Sequence, residues 1–225
     1  LMMLFEEGRF QLNDPVWRFI PSWKDQRVWV SGDGAKMETR NPLSSMTMRH
    51  ILSHTSGLTY GTGLFPSEHP VDKFYDKLGV NRDPGETIYS FAEKLSKVPL
   101  RFDPGTKWCY SLATDVCGCL VEFISGIPFD QFLRERIFEP LNMTDTSFVV
   151  PQNKLHRLAA NYGRRIDKTL ELLDDPMNSI YANPNRFSSG GGGLVSTTSD
   201  YAKFCEMLRG GGKLGEHRII GGRTL

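Results

Sequence analysis

The longest stretch of helical periodicity constrains this chain most. Between Ser111 and Ser125, the residues Leu112, Val116, Cys119, Leu120 and Phe123 recur at i, i+4, i+7, i+8 and i+11. That spacing puts them on one face of a helix, and Gly126 ends it. A helix with one apolar face needs other elements to cover it. Candidates flank it on both sides. Phe129 to Phe138 reads as a second helix, with Phe129, Phe132, Leu133 and Ile137 on one side and Pro140 after it. Val71 to Leu78 and Thr87 to Lys97 read as two more.

The rest of the chain reads as helix ends, turns and loops. Leu1 to Arg9 resembles the C-terminal part of a helix closing at Gly8. Asp14-Pro15 joins a capping carboxylate to a proline at the first helical position, so a short helix over Val16 to Ile20 should follow and end before Pro21. Gln26 to Pro42 reads as irregular or extended, with Gly32 and Gly34 at a turn. Thr47 caps a helix running to about Ser53, and Gly57 stops the chain beyond it. A loop with Gly61, Gly63, Pro66 and Pro70 follows, and Asp103-Pro104-Gly105 is a turn signal. Thr144 to Arg186 has weak periodicity and many turn formers. After the glycine run Gly190 to Gly193, Ser199 is expected to cap a helix whose Tyr201, Phe204, Cys205 and Leu208 share a face, with Gly210 to Gly212 ending it.

Composition excludes several classes. The chain has 225 residues, 39% hydrophobic and 24% charged, with a net charge of +1. That balance fits a globular domain and gives no electrostatic reason to bind nucleic acid or an anionic membrane. No apolar run approaches the roughly 18 residues of a membrane span. Leu1 to Phe5 runs into Glu6 and Glu7 with no basic flank or cleavage site, unlike a signal peptide. Cys109, Cys117, Cys119 and Cys205 do not look like a disulfide framework. Cys117 and Cys119 are two apart on a helix, point to different sides, and are not expected to share a metal. Free core thiols favour a reducing compartment, the cytoplasm, with the periplasm as the alternative.

Searches for chemistry begin with negatives. There is no G-x-S-x-G elbow, no phosphate loop, no dinucleotide fingerprint and no H-E-x-x-H pair. His50 and His54 are spaced i, i+4, but their run into Thr55-Ser56-Gly57 reads as a helix end, so no metal is expected there.

Five segments, in order, cover nearly the whole chain. They are Glu7-Gly8 with Leu12-Asn13-Asp14-Pro15-Val16; Met46 to Leu58, which contains His54-Thr55-Ser56-Gly57-Leu58; Trp108-Cys109-Tyr110-Ser111; Pro140-Leu141-Asn142-Met143-Thr144-Asp145-Thr146; and Gly192-Gly193-Leu194-Val195-Ser196-Thr197-Thr198-Ser199-Asp200. Together they resemble the serine β-lactamase and penicillin-binding-protein superfamily, most closely its carboxylesterase branch.

The resemblance implies an α+β fold in which an antiparallel sheet built from both chain ends packs on a helical subdomain. Residues from about 45 to 190 correspond to the helical subdomain, and 1–20 and 195–225 to remnants of the α/β part. Most of the sheet would then lie outside this chain. The implied chemistry is attack by the Ser of an S-x-x-K motif at a helix start, acyl-enzyme formation and release by water. No Ser here has a Lys three positions later, and no K-T-G, K-S-G or H-x-G triplet occurs. The chain is therefore expected to be an internal piece, lacking the nucleophile and inactive alone.

Tyr110 matches the superfamily's catalytic tyrosine. A phenol, with a pKa of about 10 in water, acts as a base near neutrality only beside cations, a difference of roughly 4 kcal/mol. Ser111, Leu112, Gly191, Gly192 and Gly193 are expected to line the substrate cleft, since glycine lets backbone approach a ligand closely. Leu112 stands where relatives often carry an Asn, which removes an amide that would meet a lactam and turns the expected substrate toward small esters. His50, His54, Thr55 and Ser56 are expected to be scaffold. The mechanism calls for no cofactor; the partner is a small ester or lactam.

Overall fold

The computed structural model describes residues 1–63 and 67–225; Pro66, read above as part of a loop, lies outside the described residues. Helix α5 (Ala113–Ser125) is the central element. Val116, Cys119 and Leu120 on its apolar face have no exposed surface. Around it lie α2 (Met48–Leu52), α4 (Ile88–Ser96) and α6 (Phe129–Leu133), with α1 (Met2–Glu6) alongside. Leu4, Phe10, Val16, Ile20, Phe91, Leu95 and Phe132 join the same core. Helix α3 (Pro70–Lys77) adds Val71 and Tyr75.

Local signals explain most boundaries. Thr87 and Thr47 cap α4 and α2 through their hydroxyls, and α2 has a full capping box in which His50 Nδ1 accepts from the Thr47 N–H at 3.2 Å. Gly126, at φ +74, closes α5. Among the described residues, no single helix is long and apolar enough to cross a membrane.

Strands are short and antiparallel: β1 (Val28–Ser31) with β2 (Glu38–Arg40), β3 (Asn161–Arg164) with β4 (Leu170–Asp174), and β5 (Lys213–Leu214) with β6 (His217–Arg218). Helices with small sheets make this an α+β fold. The β3–β4 hairpin arises inside the weakly periodic region. Leu170, Leu172 and Leu173 on β4 are all exposed, so no inside-outside alternation marked the strand.

Three expectations need correction. Val16 to Ile20 is not one helix but a 3-10 turn over Val16–Arg18, followed by another over Pro21–Trp23, because Pro21 starts a turn as readily as it stops one. The second half of the Phe129 helix, Arg134–Phe138, has π geometry. Helix α7 (Thr198–Arg209) is capped by Thr197, whose Oγ1 accepts from the Asp200 N–H at 3.2 Å, and not by Ser199.

Helix α7 closes a second, smaller cluster of Phe138, Leu141, Met143, Met207 and Ile219. Of its predicted apolar face, Tyr201, Cys205 and Leu208 are exposed and Phe204 is half-buried.

Candidate active site

Tyr110 sits just before α5, and its ring is 46% exposed. Two neighbours immobilise it. Tyr60 stacks on it with centroids 5.1 Å apart and planes 28° apart. His54 packs against it at 5.0 Å. The segment that carries it is tied down by the Cys109 N–H donating to His54 O at 2.8 Å.

His54 is itself tightly held. Its backbone has φ +55, an uncommon conformation for a side chain with a Cβ. Its Nδ1 lies 3.2 Å from Ser111 Oγ, and its Nε2 lies 3.4 Å from Thr114 Oγ1. Burial lowers its pKa, so the ring is neutral near pH 7. The turn that presents it depends on Gly57, at φ +89, whose missing Cβ leaves room for Phe102 O and Leu100.

A serine beside a histidine is the arrangement of an activated nucleophile. Ser111, however, has no exposed surface, and its Oγ also accepts from the Ala113 N–H at 3.3 Å. The hydroxyl is thereby enclosed within the fold. Ser111 and Leu112 were expected to line a cleft, but the structure buries both side chains: Leu112 begins the apolar face of α5, and the Ser111 hydroxyl is turned inward to His54 Nδ1 and the Ala113 N–H. Thiol alternatives are weak as well. Burial pushes the Cys109 thiol up and the Cys117 thiol up to about 12, so neither supplies a thiolate near neutrality.

The glycine run lies against the start of α5. A Cβ on Gly190 would collide with Thr114 O and come within 2.9 Å of Gly118 N, so two backbones meet there. Gly191 faces the Asp115 carboxylate, and Gly193, at φ +91, packs under Arg186. Gly192 alone of the four has open space where a Cβ would be.

Asp115, missed in the sequence reading, ties this region together. Its side chain is buried, accepts from Ser189 Oγ, and lies 3.7 Å from the Arg82 guanidinium. Arg82 in turn stands over Tyr60, 5.8 Å from the ring centroid. Burial, and second its contact with Tyr110, pushes the Tyr60 hydroxyl up to about 12. Thus Arg82 stands one ring away from Tyr110, with its charge offset by Asp115.

A cavity of about 480 Å³ lies elsewhere, lined by Phe138, Met143, Val150, Lys154, Arg157 and Val195 among others. Lys154 and Arg157 in its wall both bind Asp145. No cluster of three or more metal-ligating side chains occurs among the described residues.

The family model described as Beta-lactamase matches residues 1–224. Protein Rv1367c of Mycobacterium tuberculosis is 33% identical over 97% of the chain and 52% of its own length. Esterase EstB of Burkholderia gladioli is 28% identical over 93% of the chain and 53% of its own length. The structure of simvastatin synthase LovD from Aspergillus terreus superposes with a TM-score of 0.78 at 28% identity, covering 99% of the chain and 52% of that protein. The chain spans about half the length of the relatives it matches.

Proposed function

Because the chain belongs to the beta-lactamase family, a family of serine hydrolases and acyltransferases, we propose that it serves in an esterase that works through an acyl-enzyme. Tyr110 handles the nucleophile's proton. The observation that carries this reading is the immobilised, half-exposed Tyr110 ring at the start of α5, wedged between Tyr60 and His54.

The chain supplies the tyrosine but no S-x-x-K, so the nucleophile and its lysine are proposed to stand N-terminal to Leu1. The packing of α1 supports this. The Leu1 amine is near enough to Cys117 to feel the charge of its thiolate form, while Arg9 Nη2 donates to Ile124 O at 2.9 Å. Helix α1 therefore runs in the same direction as α5, and helical residues preceding Leu1 would approach the Tyr110 end. A lysine there would supply the cation that Arg82, neutralised by Asp115, does not. In the proposed cycle the serine oxygen bonds to the ester carbonyl carbon, its proton passes through Tyr110 to the departing alkoxide, and water or an alcohol then takes the acyl group. Esters are favoured over lactams because Leu112 is buried and offers no amide. A relative named as an acyltransferase supports an acceptor other than water.

The test uses the full-length gene product with a short-chain p-nitrophenyl ester, a chromogenic cephalosporin, and the Tyr110→Phe variant. Ester turnover should fall at least about 100-fold in Tyr110→Phe, the usual weight of a proton-transfer group. The 225-residue chain alone should be inactive, since loss of a nucleophile elsewhere costs about a million-fold. A folded full-length protein that turns over no ester would refute the esterase reading. Cephalosporin hydrolysis alone would favour a lactamase or peptidase, and no turnover at all a binding protein.

A further inference from the structure

A buried carboxylate is costly unless its charge is paired and its oxygens are hydrogen-bonded. Asp115, in the first turn of α5, meets those terms only in part. Its side chain has no exposed surface, and Oδ1 accepts from Ser189 Oγ. Oδ2 is buried as well and accepts no hydrogen bond among the described residues. The Arg82 guanidinium lies 3.7 Å from Oδ2, too far for a hydrogen bond but well within reach of its charge. Gly191 closes over the carboxylate, since a Cβ there would come within 2.9 Å of Oδ2. The Gly191 N–H donates to Ser189 Oγ at 3.1 Å, which fixes the hydroxyl that Asp115 holds.

The loosely paired charge is directed at the tyrosines. Arg82 stands over Tyr60, 5.8 Å from its centroid, and Tyr60 stacks on Tyr110 at 5.1 Å. Burial and contact with Tyr110 push the Tyr60 hydroxyl up; Asp115 raises it further, and Arg82 opposes that. His54, packed on Tyr110, is neutral near pH 7 and adds no charge. A guanidinium left unbalanced here favours a phenolate, and a carboxylate left unbalanced opposes one.

We propose that Asp115 is a positioning residue for the reaction: by balancing Arg82, it sets the pH at which Tyr110 takes up the nucleophile's proton. The inference rests on the ester reading of Tyr110 and deepens it by naming the pair of charges that regulates the tyrosine. Asp115 acts through Arg82 and Tyr60, and touches no reacting atom.

The experiment follows kcat/KM for a short-chain p-nitrophenyl ester against pH in the full-length gene product. Asp115→Asn keeps the shape and the acceptor for Ser189 but removes the charge. Its acid limb, where activity rises with pH, should move down by about 0.3–1 pH unit, the scale of one charge acting across two rings between bulk-water and protein-surface permittivity. Arg82→Gln should move the limb up, and the double variant should return it. Loss of a merely structural contact would lower the rate without moving the limb in opposite directions. Unmoved limbs, or limbs that move the same way in both single variants, overturn the proposal. So does an Arg82→Lys limb displaced as far as that of Arg82→Gln, since the charge would then not be what matters. If Asp115→Asn does not fold, Arg82→Gln decides alone: an upward shift supports the proposal and no shift overturns it. A second measurement does not depend on turnover: a carbon-13 NMR titration of the Tyr110 phenol carbon, its signal identified by loss in Tyr110→Phe. An unmoved midpoint overturns the proposal in either case. A midpoint that moves oppositely in the two variants of a protein that turns over no ester would sink the esterase reading alone.

Discussion

Replacing Gly57 with alanine isolates what the His54 turn demands of its backbone. Gly57 has φ +89, and a Cβ there would lie inside contact distance of Phe102 O and 3.0 Å from Leu100 Cβ. Two costs therefore add. A left-handed backbone for a residue with a Cβ costs about 1–2 kcal/mol. Displacing the well-packed neighbours costs about 1–3 kcal/mol more. The backbone cannot move away freely, because the Arg101 N–H donates to Gly57 O at 2.8 Å and Leu100 is fully buried. The sum is roughly 2–5 kcal/mol. Gly8 provides the control: it has φ +70 but nothing within 4 Å of its would-be Cβ, so Gly8→Ala carries only the first cost. Urea unfolding followed by circular dichroism should place Gly57→Ala below Gly8→Ala by about 1–3 kcal/mol. Equal losses would refute the collision argument. Because the same turn presents His54 to Tyr110, the variant's ester turnover in the full-length protein should drop as well.

Two further predictions follow from titration and from surface. Burial lowers the pKa of His54 and, together with the nearby Arg49 charge, that of His50, so the unfolded chain takes up these protons before the folded one does. Stability from these groups is present above about pH 6.5 and is lost as pH falls through their folded-state values. The urea midpoint should therefore drop between pH 7.5 and 5.5, and drop less in His54→Asn, which tolerates the same backbone; equal drops would count against the assignment. On α7, Tyr201 and Leu208 are 62% and 37% exposed beside the exposed Cys205. The 225-residue chain should bind a hydrophobic dye and aggregate, and Tyr201→Lys with Leu208→Glu should reduce both; a soluble, dye-negative wild-type chain with a reversible melt would show that this face carries no such liability.

Much of this molecule was legible locally. The α5 stripe, the threonine cap of α2 and the Gly126 stop are short-range patterns, and helix periodicity and capping act over only a few residues. The motif order placed Tyr110 before α5 and the glycine run after the helical part. The hairpin β3–β4 was not legible, since its leucines face outward and break the alternation that marks a strand. The α7 cap moved from Ser199 to Thr197 because the successive hydroxyl residues Thr197, Thr198 and Ser199 look alike in sequence, and only backbone geometry chooses among them.

The residues around Tyr110 show where local information stops. From its sequence, the chain settled that a tyrosine would stand at the head of an apolar helix, within the beta-lactamase family. Its surroundings required long-range packing: Tyr60 and His54 reach it across about fifty residues of chain, and Asp115 joins Arg82 to Ser189 through a buried carboxylate. Burial of Ser111 and Leu112 was decided the same way, Leu112 by joining the core at the head of α5 and Ser111 by pairing with His54. Side-chain identity and short-range spacing specify helices, caps and turns, whereas which faces meet, which polar groups are desolvated and which rings stay open depend on elements distant in sequence. Only the tertiary structure could decide those.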